Sequence, residues 1–214
     1  MNEKFFKLPE EKRQKILNGG FRVFSQNSYK KSPMSEIAAE AGISKALLFH
    51  YFRNKRELYL FLWEECARIT MEYLEKYRCY EPGDLFEMME RGMRAKLDIM
   101  RLYPNMTAFC IKAFYEKAED VCGEIQASYQ RHFDSKARNA LAGLDPEQFV
   151  PGLDLEMMYR EMYWASEGYL WEMMQRGDTL KAETLEKDFS EMLEFWKEIY
   201  QRKKKSCEKS QDSY

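Results

Sequence analysis

The stretch Ser32–Phe52, SPMSEIAAEAGISKALLFHYF, leaves this chain few ways to fold. Ser32 and Pro33 suit the cap and first turn of a short helix, where a missing N–H costs nothing. Met34, Ile37, Ala38 and Ala41 recur at helical spacing and give that helix one apolar face. Gly42 can reverse the chain with a positive φ, Ile43 plugs the corner, and Ser44 caps a second helix. Two short helices joined in this way form a helix-turn-helix, whose second helix enters the major groove of DNA.

At 100° per residue from Lys45, the residues Lys45, Phe49, Ala46 and His50 fall within one arc of the second helix. Leu47, Tyr51, Leu48 and Phe52 fall on the other. The second arc is expected to pack. The first is either a groove-reading surface or an ordinary solvated face, and angle alone does not choose between them.

The flanking residues do. Arg13, Ile16, Leu17, Phe21, Phe24, Tyr29, Ile37, Ala38, the run Ala41-Gly42-Ile43-Ser44-Lys45, Leu48, Tyr51-Phe52, Asn54-Lys55 and Leu58 together resemble the N-terminal domain of the TetR family of transcriptional regulators. The resemblance covers roughly Lys12 to Leu62. It implies an all-helical homodimer whose C-terminal domain binds a small effector and thereby controls operator binding. The chain departs from the family pattern at Ala46 and Leu47, where Gly and Thr are common. It departs again at Phe49, where a Tyr hydroxyl usually reaches DNA, and at Gly19-Gly20, which replaces a common Ala-Ala.

Charge is informative once it is divided. Residues 1–56 hold 12 Lys and Arg against 5 Asp and Glu, a net of +7, while the rest of the chain is net −9. A basic segment on an acidic body suits phosphate binding at one end only. Ser32, Lys45 and Lys55 are the expected phosphate or positioning contacts, with Ser44 capping the reading helix. Tyr51 is expected to pack that helix and touch a phosphate. Lys45, Ala46, Phe49 and His50 are the expected base readers, Lys45 for a guanine edge and Ala46 and Phe49 for a thymine methyl.

The pattern predicts helices over 9–26, 32–41, 45–52, 55–77, 85–102, 105–117, 119–141, 155–176 and 182–201. Pro104, Gly143-Leu144-Asp145-Pro146, Pro151-Gly152 and Gly177-Asp178 punctuate them. The predicted organisation is a DNA-binding head over 1–56 and a helical body for ligand binding and dimerisation over 57–205. Within the body, 57–78 is the linking helix, and 206–214 form a disordered tail. Gly19 and Gly20 each cost about 1 kcal/mol against Ala inside a helix, so close approach of another helix is expected there.

Two stripes stand out in the body. Met158, Met162, Ala165, Tyr169 and Met173 share one face; Leu185, Phe189, Met192, Trp196 and Ile199 share another. Both helices also carry apolar residues off these stripes, and a helix apolar on several sides needs several partners. Burial within one chain is one reading; in the family context a four-helix dimer interface centred on Met158, Ala165, Tyr169, Phe189, Met192 and Trp196 is the expectation. Methionines and aromatics in the middle of the body are core for the most part and pocket lining for the rest. Met89, Met93, Phe109, Tyr129 and Met162 are the expected effector pocket.

Catalysis finds no support. His50 and His132 lie far apart, and there is no zinc-ligand spacing, no E-x-x-H pair, no glycine-rich phosphate loop and no G-x-S-x-G elbow. No metal or cofactor is expected. Glu161, Glu167 and Glu172 are taken as exposed or rim residues. Five scattered cysteines, the lack of an apolar leader and the lack of a run of about 20 apolar residues predict a cytoplasmic protein without membrane contact. The reading is a homodimeric regulator, a repressor that releases a palindromic double-stranded operator on binding an apolar or amphipathic small molecule. The alternative is a helical small-molecule binding protein whose head lacks DNA binding.

Overall fold

The computed structural model describes residues 3–203. Within them the chain is all-helical: α1 Glu10–Gln26, α2 Met34–Glu40, α3 Lys45–Tyr51, α4 Lys55–Lys76, α5 Leu85–Leu102, α6 Met106–Phe114, α7 Cys122–Leu141, α8 Leu155–Arg176 and α9 Ala182–Tyr200. A single 3₁₀ turn, Pro146–Gln148, precedes an isolated antiparallel bridge between Phe149 and Gln201 that pins the end of α9. The tail expected over 206–214 lies outside the described residues.

Local chemistry accounts for several helix ends. Asn54 caps α4 by accepting from the Glu57 N–H at 2.8 Å, and the Glu57 carboxylate accepts from the Arg53 N–H in return. Asp84 and Asp154 cap α5 and α8 in the same manner. Ser32 does not cap α2. Its hydroxyl donates to the Ser28 carbonyl at 3.0 Å and is fully buried, while Pro33 occupies the cap position. Helix α6 ends before the expected Lys117 because the Glu116 carboxylate accepts from the Lys117 and Ala118 N–H groups, turning the chain outward. Helix α7 correspondingly begins at Cys122 instead of Glu119.

Two glycines show why α1 carries them. A Cβ on Gly19 would lie 2.9 Å from the Ala41 nitrogen and 3.1 Å from the Ile37 carbonyl oxygen, so α1 and α2 meet backbone to backbone. At Gly20 it would meet a Leu62 methyl of α4. The cost of glycine in a helix is thus offset by the close packing of three helices.

One buried cluster runs from Phe5 through α1–α4 into α6 and on to Ile125 of α7. Head and body therefore share a core across 56/57, and a division there is one of role and not of packing. The N-terminal Phe5 plugs the head, with its ring 5.3 Å from Phe52 and 5.1 Å from Phe61. A second cluster joins α5, α8 and α9 around Phe86, Met158, Met162 and Trp196. Smaller ones sit under α4–α5 and between α5, α8 and α9.

Candidate nucleic-acid interface and a cavity in the body

The turn between α2 and α3 is a Schellman motif. Gly42 takes φ +67°, its N–H donates to Ala39, and the Ile43 N–H donates to Ala38. Ile43 packs onto the core beside it. Ser44 then accepts from the Leu47 N–H at 3.1 Å and starts α3. Leu48, Tyr51 and Phe52 are buried and fix the rotation of the helix.

That rotation sets Ser44, Lys45, Ala46, Phe49 and His50 toward solvent. Phe49 is 40% exposed, a large apolar ring turned away from the core, with the Lys45 ammonium 5.9 Å from its centre. Leu47, expected to pack, is exposed as well, because at 200° it sits on the border of the buried arc. Tyr51 lies against Phe5 and is largely buried. Ser32 has no free surface for a phosphate. Lys55 donates to the Lys30 carbonyl at 3.0 Å and rests over the Tyr29 ring, so it braces the loop between α1 and α2.

Further polar bonds tie this head to the body. Gln14 and Asn18 both donate to the Leu102 carbonyl at the end of α5. Lys112 of α6 donates to the Ser25 carbonyl at 3.0 Å, and Glu116 accepts from the Tyr29 N–H at 2.8 Å. Arg56 donates to the Asp120 carbonyl and pairs with Glu124. None of these was legible in the sequence, since each joins residues far apart in the chain.

The body holds a cavity of about 150 Å³ between α4, α6, α7 and α8. Trp63, Phe114, Tyr129, Phe133 and Tyr163 form much of its wall. Of the five residues expected around an effector, Tyr129 alone lines it. Phe109 is buried among Phe21, Phe24 and Tyr59. Met89 and Met162 belong to the α5–α8–α9 core, and Met93 packs in the cluster between α5, α8 and α9. Apolar spacing identified a buried face on each helix but not the partner it would meet.

Polar groups missed from sequence line the same space. Tyr163 donates to Glu167 at 2.5 Å. Burial raises the Glu167 carboxyl above the usual range, and burial pushes the Tyr129 phenol up to about 12. Burial, helped by the like charge of Lys96, brings the Lys136 ammonium down to about 8. Lys96 is lowered by burial too. Lys136 lines the cavity and is half-buried, whereas Lys96 lies outside the lining and is exposed at the surface. The available signal was a lone Glu167 in the apolar run Tyr163–Trp171. Deeper in the wall, Trp63 donates to Ser128, which donates to Glu64.

The expected dimer stripes are largely spent inside the chain. Met158 and Trp196 are buried in the core, Ala165 and Met192 pack on it, and the Tyr169 ring meets Phe189 at 5.5 Å while its hydroxyl donates to Asp188. The apolar surface left open on α8 and α9 is a different set: Met157 (52% exposed), Trp164 (56%), Phe195 (60%) and Ile199 (44%). Among the described residues no group of His, Cys, Asp and Glu could hold a metal ion. Nor is any helix long and apolar enough to cross a membrane.

A capped reading helix on a basic head, joined by hydrogen bonds to an all-helical body with a lined cavity, defines a helix-turn-helix DNA-binding regulator. A family model described as bacterial regulatory proteins, tetR family, matches residues 16–61. The HTH-type transcriptional regulator RutR of Escherichia coli (strain K12) is 24% identical over 147 residues, 65% of this chain and 68% of RutR. Among solved structures, the fatty acid degradation regulator FadR from Bacillus halodurans shares the fold with a TM-score of 0.65 at 14% identity, over 84% of this chain and 96% of FadR. FadR from Bacillus subtilis in complex with stearoyl-CoA gives 0.57 at 17% identity, over 84% and 96%. The head is a tetR-family DNA-binding domain, and the chain is a DNA-binding transcriptional regulator.

Proposed function

We propose that a homodimer of this chain represses transcription from a palindromic operator and lets go when a small molecule enters the cavity between α4, α6, α7 and α8. The observation that carries this reading is the chain of contacts from cavity to head. Cys110, Ile111 and Phe114 of α6, with Tyr115 just past its end, line the cavity, and the same stretch bonds through Lys112 and Glu116 to Ser25 and Tyr29. A ligand that displaces α6 would therefore shift the loop that holds α2 and α3. Helix α4, which supplies Trp63, Cys66, Ala67 and Thr70 to the cavity and Lys55 to the head, offers a parallel route.

In this reading Lys45, Ala46, Phe49 and His50 face the major groove, and the backbone N–H groups of Lys55 and Arg56 at the start of α4 take a phosphate. Two reading helices should sit about 34–36 Å apart on one duplex face. The partner surface is the open patch of Met157, Trp164, Phe195 and Ile199. Such a patch supports pairing because large exposed apolar side chains on adjacent helices are unfavourable in water. Trp164→Glu should then give a monomer in sedimentation without loss of helix content, whereas Trp196→Glu should unfold the core.

DNA flanking the protein's own gene, titrated by fluorescence anisotropy at several salt concentrations, tests the core of the proposal. Binding should fall steeply with salt as phosphate contacts release counterions, and His50→Ala should change preference among sequences. Equal affinity for the palindrome and for random DNA at physiological salt would leave the alternative, a ligand-binding protein without operator recognition.

A further inference from the structure

The cavity also constrains what would enter it. We propose that its ligand is a small aromatic carboxylate, the ring lying among Phe114, Tyr129, Phe133 and Tyr163 and the carboxylate meeting Lys136. This rests on the reading of the cavity as an effector site and adds the chemical class.

Size comes first. A volume of about 150 Å³ is that of an engineered cavity known to take benzene, and lies well below the roughly 300–1,000 Å³ of pockets for larger ligands. A long acyl chain or a nucleotide has no room without wholesale rearrangement. Shape comes next. The rings of Phe114 and Tyr129 are 4.5 Å apart, and those of Phe133 and Tyr163 are 4.8 Å apart at 71°. A further ring can join such a cluster in the edge-to-face and offset arrangements that aromatics prefer.

Charge selects among aromatics. Lys136 and Glu167 both line this space, and the positive charge of Lys96, just outside the lining, acts on both. Glu167 is already engaged by the Tyr163 hydroxyl at 2.5 Å. An ammonium held among protein atoms without its counterion is unfavourable, and a ligand carrying one negative charge supplies that counterion. A neutral ring leaves the excess in place, and a cationic one adds to it. The groups facing Lys136 are Lys96 on α5, Cys66 on α4, Cys110 on α6 and Glu167 on α8, with His132 one turn away on α7.

The test uses the full chain and calorimetry with benzoate, phenylacetate, their amides benzamide and phenylacetamide, and octanoate. At least one aromatic acid should bind tenfold or more tightly than its own amide and than octanoate; any other ranking overturns the proposal. Lys136→Met should remove at least tenfold of the acid's affinity and leave the amide's unchanged, while Lys136→Arg keeps most of it. Full acid binding by a folded Lys136→Met also overturns it. Should that variant not fold, Glu167→Gln decides: the acid should bind more tightly and the amide equally, and an unchanged acid affinity counts against the assignment. A parallel titration against a duplex selected from a random pool separates the two claims. An acid that binds as described but leaves DNA affinity unchanged removes the effector reading and keeps the ligand class. Release of DNA by a neutral or long-chain molecule in place of the acid does the reverse.

Discussion

The head and the cavity region are built from similar side chains and solve opposite problems. In the head, Phe5, Phe52 and Phe61 close on one another at 5.1–5.3 Å, and two helices touch through the missing side chain of Gly19. Around the cavity, rings pair just as closely, at 4.5 and 4.8 Å, but they surround a lysine, a glutamate and about 150 Å³ of space. A surface that must present Lys45, Phe49 and His50 in fixed geometry needs a rigid support. A surface that must accept a guest needs unspent contacts. The difference says where stability is concentrated and where it has been given up.

The largest expected contrast comes from removing one ring on each side. Phe52→Ala in the closed head should cost about 3–5 kcal/mol in urea unfolding. Phe133→Ala, which widens an existing space from a half-buried position, should cost no more than about 1–2 kcal/mol. Equal losses would break the comparison. Next in size are the helix glycines. Gly19→Ala forces a methyl against the backbone of α2 and should destabilise by about 1–3 kcal/mol. Gly92→Ala in α5 meets only a Leu74 methyl at an ordinary 3.8 Å and should stabilise by up to about 1 kcal/mol.

Two of the Schellman turns sharpen the same contrast. The head closes its turn with Gly42, whereas α4 ends in the same hydrogen-bond pattern with Arg78 at φ +54°. Arg78→Gly should therefore raise stability by about 1 kcal/mol, and Gly42→Ala should lower it by a similar amount in thermal melts. The last effect concerns pH. Burial and Lys96 depress Lys136 in the folded state to about 8 from an ordinary 10.5. The unfolded chain then holds more protons between those values, so this site's contribution to stability rises as pH climbs through that window. Lys136→Met should melt higher than the wild type near neutral pH, and the gap should narrow toward about pH 10. A constant gap would mean that Lys136 is not confined as described.

Residues 32–58 carried the head almost entirely in their own order. Capping by Ser44 and Asn54, the positive φ of Gly42 and the burial of Leu48, Tyr51 and Phe52 each depend on neighbours within a few positions, so short-range chemistry decides them. The starts of α5 and α8 at Leu85 and Leu155, set by Asp84 and Asp154, were legible for the same reason. Ser32 was misjudged because its hydroxyl could accept from a helix N–H or donate to a carbonyl, and packing chose donation to Ser28.

What only the tertiary structure decided is which helix each face meets. Periodicity placed Met158 and Trp196 on apolar stripes but could not say that those stripes turn inward, leaving Met157, Trp164, Phe195 and Ile199 open. It gave Met89, Met93 and Phe109 no partner to choose between, and the cavity formed elsewhere. Glu167 read as an exposed or rim charge until α4, α6, α7 and α8 packed around it beside Lys136. A helix's own sequence sets its apolar angle, whereas contact is set by the other helices, whose order in space is a property of the whole chain.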